Sequence, residues 1–211
     1  MEQKFDSKET PNKYQQAFLE SKVETNDAVV AAEVEKILKE HIAENDNKEV
    51  YQFLLNCVDL TTLSTTDSER SVAAFTKKVN DYWTNYPQYK NVAAICVYSN
   101  FAEVVRGALE VSDVNIAVCS AAFPSSQAHI ETKVAETALA IEDGADEVDI
   151  VLNVGRMLTG EYDEAANEVE VIRTEMDEDV VLKVIIESGA LKTPELIRKA
   201  SLLSMLAGAD F

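Results

Sequence analysis

The sequence predicts an α/β fold in which strands and helices alternate. Five apolar runs rich in β-branched residues are typical of buried strands, at 53–60, 92–98, 114–123, 147–154 and 180–187. Helical patterns follow these runs, at 67–84, 99–110, 126–142, 160–176 and 194–206. The strands are apolar on both faces, and this feature together with the alternation predicts a parallel sheet covered by helices.

A repeated tripeptide predicts how these units are wound. GAD occurs at Gly144–Asp146 and at Gly208–Asp210, each time after a predicted helix, and the copies are 64 residues apart. Glycine at that place fits a left-handed helix C-cap. The spacing is that of two units of a (β/α)8 TIM barrel, which takes about 250 residues. We therefore predict about five βα units of such a barrel, with Phe211 opening a sixth strand.

Two consequences of this interpretation remain expectations. Because five units cannot close an eight-stranded barrel, we expect the 211-residue chain to be C-terminally truncated. An open, doubly wound sheet of five strands is the structural alternative. The sequence contains no G-x-G-x-x-G motif and no P-loop that would support a nucleotide-binding version of it.

A helical extension precedes the barrel. The first ten or so residues are polar and are predicted to have no regular structure, whereas 27–44 has apolar positions at helical spacing and predicts an amphipathic helix. We divide the chain into this extension, 1–50, and a partial barrel domain, 51–211. The extension is expected to pack on the bottom of the barrel or on a partner subunit.

Helix start signals support two of the helices. Thr66 with Glu69 predicts a capping box, and Thr193 before Pro194 predicts an N-cap followed by proline at the first helical position.

Charge and composition exclude several classes of function. A formal net charge of −19 argues against binding to nucleic acid or to an anionic membrane. No run is long enough for a membrane-spanning helix, and the N-terminus lacks the apolar core of a signal peptide. Cys57, Cys96 and Cys119 each lie in a predicted strand, which suits reduced thiols and a cytoplasmic location. With only His41 and His129, both predicted at the surface, we predict no metal site.

The lysine inside the fifth strand is the strongest candidate for chemistry. Lys183 and Asp149 occupy comparable positions in consecutive strands, so they can meet if the strands are neighbours about 4.8 Å apart. Burial favours the neutral, nucleophilic amine, and a nearby carboxylate opposes that shift. Schiff-base chemistry with proton transfer and a structural ion pair are equally good interpretations of the pair.

Other candidates follow the strand ends, where barrel active sites are built. Asp59 and Thr61 come at the end of the first predicted strand, although the same DLTT segment could cap a turn. Cys96 is either a pocket wall or, more often for a free cysteine, core packing. Three further residues after the fourth strand are candidate substrate contacts: Asn153, Gly155 and Arg156. Turn chemistry explains Asn153 and Gly155 equally well.

Several motifs in order resemble the deoxyribose-phosphate aldolase family: DLTTL, NVAAICVY, GADEVDIVLNVG, LKVIIESGAL and LIRKAS followed by AGADF. The resemblance runs from Asn56 to Phe211. It implies a (β/α)8 barrel and a class I aldolase, which forms an enzyme-bound imine without a metal or cofactor. It also implies the reversible cleavage of 2-deoxy-D-ribose 5-phosphate to acetaldehyde and glyceraldehyde 3-phosphate. The expected partners are therefore small sugar phosphates and aldehydes, with a homodimer as the candidate assembly.

The resemblance also assigns roles to residues. Asp149 matches the aspartate that handles protons during carbinolamine and imine formation, and Lys183 matches a supporting pocket lysine. Asp59, Thr61 and Cys96 are expected to support the same site. The family's Schiff-base lysine lies in the next strand, two positions past Phe211, and a second catalytic lysine and most phosphate-binding loops come later still. The chain alone is therefore expected to be inactive.

Two other functions stay open at this point. One is a different Schiff-base barrel enzyme, such as a transaldolase-like protein. The other is a non-catalytic, truncated paralogue that acts as a binding subunit.

Overall fold

The computed structural model describes residues 11–23 and 25–211, so the prediction for the first ten residues lies outside it. Five strands form one sheet: β1 (Asp59–Thr61), β2 (Ala94–Tyr98), β3 (Asn115–Cys119), β4 (Glu147–Val151) and β5 (Val181–Ile185). The helices are α1 (Lys13–Glu20), α2 (Asp27–Asn45), α3 (Lys48–Leu55), α4 (Glu69–Asn85), α5 (Ala102–Ala108), α6 (Ile130–Glu142), α7 (Val154–Thr159), α8 (Tyr162–Thr174), α9 (Ser188–Leu191) and α10 (Pro194–Leu206). A 3-10 helix, Ser99–Phe101, precedes α5.

The strand order distinguishes the two predicted windings. Every neighbouring pair is parallel, and the order is β1-β2-β3-β4-β5, so each strand lies beside the one before it. A doubly wound sheet would reverse direction at a switch point. The predicted α/β fold with TIM-barrel winding is thus confirmed, and the doubly wound alternative is wrong. Phe211 also pairs with β5 as predicted, because its N–H donates to Leu182 O and its carbonyl accepts from Val184 N at 2.9 Å.

The two faces of the sheet have different chemistry. Side chains that face the helices are large and apolar and are almost fully buried: Ile95, Val97, Ile116, Val118, Val148, Ile150 and Leu182. The opposite face carries a separate small cluster, Ala94, Cys96, Ala117 and Cys119. Because successive strand residues point to opposite faces, the charged residues of β4 and β5 lie on the same face as this small cluster.

The prediction of a strand over 53–60 is wrong for most of its length. Residues up to Leu55 belong to α3, which begins where the side chain of Asn47 accepts a hydrogen bond from Val50 N at 3.0 Å. This N-cap satisfies an otherwise unpaired amide of the helix, and β1 begins only at Asp59. Cys57 consequently lies in a turn and is exposed, which corrects its prediction as a buried strand residue.

The helical extension contains one helix more than predicted before residue 45. The predicted amphipathic helix is present as α2, but none of its side chains is buried. The unpredicted helix α1 buries Tyr14 and Phe18 instead. The Phe18 ring meets Tyr162 of α8 edge-on at 5.5 Å, and the Tyr14 hydroxyl donates to Glu170 at 2.5 Å.

The predicted helix termini agree with the structure in three cases of four. Thr193 caps α10 by accepting from Leu196 N at 3.3 Å, ahead of Pro194. Gly144 and Gly208 are left-handed, with φ of +99° and +106°. The capping box at Thr66 and Glu69 is wrong, because Ser68 and Ser71 form it at the start of α4. No helix of the described residues is both long enough and apolar enough to cross a membrane.

Replacing Gly208 with alanine should destabilise the fold. The left-handed φ disfavours any side chain, and a Cβ there would lie 2.9 Å from Cγ of Arg173. We expect G208A to lower the free energy of unfolding by about 1–2 kcal/mol in urea denaturation. Gly107→Ala in α5 is the matched control, since its Cβ would meet no atom within 4 Å and alanine favours the helix. Equal stability of G208A and the unmodified chain would contradict the assignment.

Candidate active site

The ammonium group of Lys183 lies on the inner face of the sheet, which is the face that carries Ala94, Cys96, Ala117 and Cys119. Lys183 and Asp149 are direct neighbours across β5 and β4, as predicted. Lys183 Nζ lies 2.9 Å from Asp149 Oδ1, 2.9 Å from Glu147 Oε2 and 2.5 Å from Asp59 Oδ2. Three carboxylates therefore surround one lysine, and they come from the first and fourth strands of the sheet.

The contact between Lys183 and Asp59 also reports the curvature of the sheet. These residues belong to β5 and β1, which lie at opposite ends of the strand order. In a flat sheet the two strands would be about 19 Å apart at about 4.8 Å per step. A side-chain ion pair cannot span that distance, so the sheet curls round the cluster as in a barrel.

The environment keeps Lys183 in its charged form. Burial alone lowers the pKa of this amine, but the contacts with the carboxylates of Asp59, Glu147 and Asp149 outweigh burial and raise the pKa above its ordinary value. An ammonium has no lone pair with which to attack a carbonyl group. Of the two interpretations left open by the sequence, the geometry favours the ion pair over an imine on Lys183.

At Asp149 the effect of burial on the pKa outweighs the effect of the ion-pair contact, which is the reverse of the situation at Lys183. Burial raises the pKa of its carboxyl above the usual value, the contact with Lys183 opposes this, and the nearby charges of Asp59 and Glu147 add to the rise. Asp149 Oδ1 is at ion-pair distance from the ammonium, yet it receives no hydrogen bond of suitable geometry from the described residues. A carboxyl group with a raised pKa can exchange a proton nearer to neutral pH than an ordinary aspartate.

Two members of the cluster were missed in the sequence. Glu147 accepts from Asn115 Nδ2 at 2.7 Å in addition to its contact with Lys183. It lies two residues before Asp149 in β4, so the strand period of two could have placed it on the same face. Cys119 lies directly opposite Asp149 in the register of β3 and β4.

The predicted supporting residues Cys96 and Thr61 lie beside the cluster. They face each other in the register of β1 and β2. Cys96 Sγ is 3.9 Å from Asp149 Oδ2 and 3.9 Å from Cys119 Sγ. Thr61 is exposed, and its hydroxyl donates to the backbone carbonyl of Asp59 at 2.9 Å. Cys96 therefore contacts the charged cluster, whereas the hydrogen bond of Thr61 is to the strand backbone.

The thiols of Cys96 and Cys119 influence each other. The contact with Cys119 lowers the pKa of the Cys96 thiol, while burial and Asp149 act against this. The contact with Cys96 and burial raise the pKa of the Cys119 thiol. The two thiols therefore titrate as an interacting pair.

The remaining candidates after β4 have structural contacts. Asn153 caps α7, accepting from Arg156 N at 3.3 Å, and also donates to Glu168 at 3.0 Å. Arg156 Nε donates to the same Glu168 at 2.9 Å. Gly155 lies within α7. The cap contact supports the interpretation as turn chemistry for Asn153, whereas Arg156 forms an ion pair with Glu168.

A buried lysine that the sequence did not reveal completes this outer network. Lys133 of α6 is only 1% exposed, and its Nζ donates to Glu168 Oε2 at 2.6 Å and to Ser126 Oγ at 2.7 Å. The two histidines lie at the surface, as predicted: His129 is exposed at the N-cap of α6, and His41 is exposed beside Glu44.

Comparison with known proteins identifies a protein family that matches most of this chain. The family model described as "DeoC/LacD family aldolase" matches residues 53–211. The chain belongs to this family.

Two curated family members and one solved structure illustrate the similarity. A deoxyribose-phosphate aldolase from Homo sapiens is 31% identical over 208 residues, covering 90% of this chain and 63% of that protein. One from Agrobacterium fabrum is 33% identical over 165 residues, covering 78% and 61%. A crystal structure of a putative deoxyribose-phosphate aldolase from Coccidioides immitis has a TM-score of 0.67 at 24% identity, covering 75% and 58%. The chain thus spans about three fifths of the length of these relatives.

Removing the ammonium of Lys183 should strongly destabilise the protein at neutral pH. Lys183→Met leaves Asp59, Glu147 and Asp149 without their shared cation, and we expect the free energy of unfolding to fall by about 3 kcal/mol. A carboxyl with a raised folded-state pKa stabilises at low pH and loses that contribution as pH rises through its pKa. The deficit should therefore shrink as pH falls towards about 4, the ordinary carboxyl range.

The control for this experiment is Lys77→Met, which removes an exposed lysine paired with Asp81 within α4. We expect that change to alter stability by less than about 0.5 kcal/mol at either pH, because exposed ion pairs contribute little. A Lys183→Met deficit that is equal at both pH values, or no larger than the control, would argue against the shared ion pair.

Proposed function

We propose that this chain carries part of the active site of a class I aldolase acting on 2-deoxy-D-ribose 5-phosphate. The reaction is reversible cleavage to acetaldehyde and glyceraldehyde 3-phosphate through a lysine imine. The observation that supports it best is the ion cluster of Lys183 with Asp59, Glu147 and Asp149 inside the curled sheet. The names of the two curated relatives also support this substrate.

Asp149 is the residue we assign to proton transfer. Imine formation passes through a carbinolamine, whose hydroxyl must be protonated before it leaves as water, and carbon–carbon cleavage then needs a base. A carboxyl with a pKa above the usual aspartate value can take both roles. Asp149 is half-buried beside the ammonium of Lys183. This positive charge stabilises the carboxylate that Asp149 becomes after it has given up its proton.

Lys183 is assigned a positioning role, since its amine is held as an ammonium. From the family resemblance we expect the nucleophilic lysine two positions past Phe211. Phe211 is in register with Lys183 through its backbone hydrogen bonds to Leu182 and Val184. A residue two positions further along a strand points to the same face, so a lysine there would share the inner face with Lys183 and Asp149.

The chain of 211 residues alone should not form an imine with acetaldehyde. Treatment with acetaldehyde and borohydride is expected to leave the intact mass unchanged, because the amine of Lys183 is protonated and occupied. Mass spectrometry of the intact chain and of its peptides measures this. An ethyl adduct on Lys183 would contradict the assigned role and would make that residue the nucleophile.

A chimera provides the positive arm of the same experiment. Joining residues 1–211 to the C-terminal strands of the Agrobacterium fabrum relative should give 2-deoxyribose 5-phosphate cleavage and a borohydride-trapped adduct.

In this chimera, Asp149→Asn should lower kcat about 100-fold or more, in the range of general acid–base catalysis. Asp177→Asn, at an exposed position, should leave kcat unchanged. A folded chimera without cleavage favours a non-catalytic subunit, and one that acts only on transaldolase substrates favours that class.

We also propose that the protein is a cytoplasmic homodimer in which α2 contacts the partner subunit. Helix α2 buries no side chain in the described residues, and one face exposes Val34, Ile37, Leu38 and Ile42. The three cysteines are free, which suits a reducing compartment.

Charge placed on this face of α2 should dissociate the dimer. Val34→Glu with Leu38→Glu is expected to convert a dimer into a monomer in size-exclusion chromatography with light scattering, because buried unpaired carboxylates oppose association. Ala32→Glu, on the opposite side of the same helix, should keep the dimer. An unmodified chain that is monomeric, or a dimer that survives both substitutions, would contradict this assembly.

A further inference from the structure

Two thiols and a carboxylate converge on the inner face of the sheet, on three consecutive strands. Cys96 is in β2, Cys119 in β3 and Asp149 in β4, and their donor atoms all lie within 4.8 Å of one another. We propose that these three side chains bind a thiophilic divalent ion of the Zn²⁺ or Cd²⁺ type. This inference does not depend on the proposed aldolase reaction.

The distances between the donors suit a tetrahedral ion. Two thiolates bound to zinc at about 2.3 Å with tetrahedral angles are about 3.8 Å apart. The observed separation of Cys96 Sγ and Cys119 Sγ is 3.9 Å, and Cys96 Sγ lies 3.9 Å from Asp149 Oδ2. An ion can therefore enter with only small side-chain rotations, and its fourth position is left for water or another ligand.

The strand register fixes these donors in place. Cys119 is directly opposite Asp149 in β4 and directly opposite Tyr98 in β2. Cys96 lies two residues before Tyr98, so it shares the inner face with the other two donors. Because each donor is anchored on a central, hydrogen-bonded strand, the site loses little conformational freedom when it binds an ion.

The surrounding charge favours a cation. Asp59 and Glu147 bring two further carboxylates to the neighbourhood through their contacts with Lys183. Lys183 opposes a second cation, but it contacts Oδ1 of Asp149, whereas Oδ2 faces the thiol of Cys96. The carboxylate can therefore bridge the ammonium and a metal ion. Binding would displace the protons of both thiols.

A disulfide is the competing interpretation of the thiol pair. Cys96 and Cys119 are diagonal in the register, since Cys119 pairs with Tyr98. Diagonal residues on neighbouring strands have Cα atoms about 7–8 Å apart, and disulfides usually require less than about 6.8 Å. The pair is thus better placed for a shared metal ion than for a covalent bond.

Cadmium titration of the fully reduced 211-residue chain tests the site. We expect one Cd²⁺ per chain, a thiolate-to-cadmium charge-transfer band in the ultraviolet, and release of two protons per ion at a pH where both thiols start protonated. Cys96→Ala and Cys119→Ala should each lose the two-thiolate band, and Asp149→Asn should weaken binding. Excess Zn²⁺ should compete with Cd²⁺ for the site, whereas Mg²⁺ should not, because it prefers oxygen ligands.

The exposed Cys57 provides the matched control, because it lies in the turn after α3. Cys57→Ser should keep the full band and the proton release. Loss of the band in Cys57→Ser, or its persistence in Cys119→Ala, would overturn the site. Proton release and stoichiometry are measured on the unmodified chain, so they remain decisive even if a cysteine variant fails to fold. Release of fewer than two protons there would also overturn the site.

Discussion

The ion cluster round Lys183 is the interaction on which the interior of this protein depends. Its ammonium contacts carboxylates from β1 and from β4, although β1 and β5 are the two ends of the sheet. The cluster can form only if the sheet curls, and once formed it holds the curled edge strands together. Charge pairing inside the barrel therefore complements the apolar packing outside it.

Because side chains alternate along a strand, one short strand can both pack against the helices and carry charged residues on the inner face. In β4, Val148 and Ile150 pack against the helices, while Glu147 and Asp149 face the interior. A register shift of one residue would exchange these sets and bury two carboxylates among apolar helices. The large apolar residues that fix the register thus also fix the positions of the charged ones, so stability and site geometry have the same origin.

Local and neighbouring contacts could be predicted from the sequence, and contacts that depend on curvature could not. The pairing of Asp149 with Lys183 follows from strand alternation and winding, as does the pairing of Phe211 with β5. The contact of Lys183 with Asp59 joins residues 124 positions apart and requires the curled sheet. The strand prediction over 53–60 failed because a helix that begins after the N-cap residue Asn47 continues to Leu55. Apolar runs of this length do not distinguish the two structures.

The surplus of carboxylates round Lys183 explains how Asp149 can change its charge without disturbing the site. When Asp149 takes up a proton, its attraction for the ammonium falls, but Asp59 and Glu147 still hold Nζ at 2.5 and 2.9 Å. The ammonium therefore stays in place while its third partner titrates. With a single carboxylate, protonation would leave an unpaired buried lysine, at a cost comparable to breaking a buried ion pair. Redundant pairing at Lys183 thus makes the proton exchange that we propose for Asp149 compatible with a stable interior.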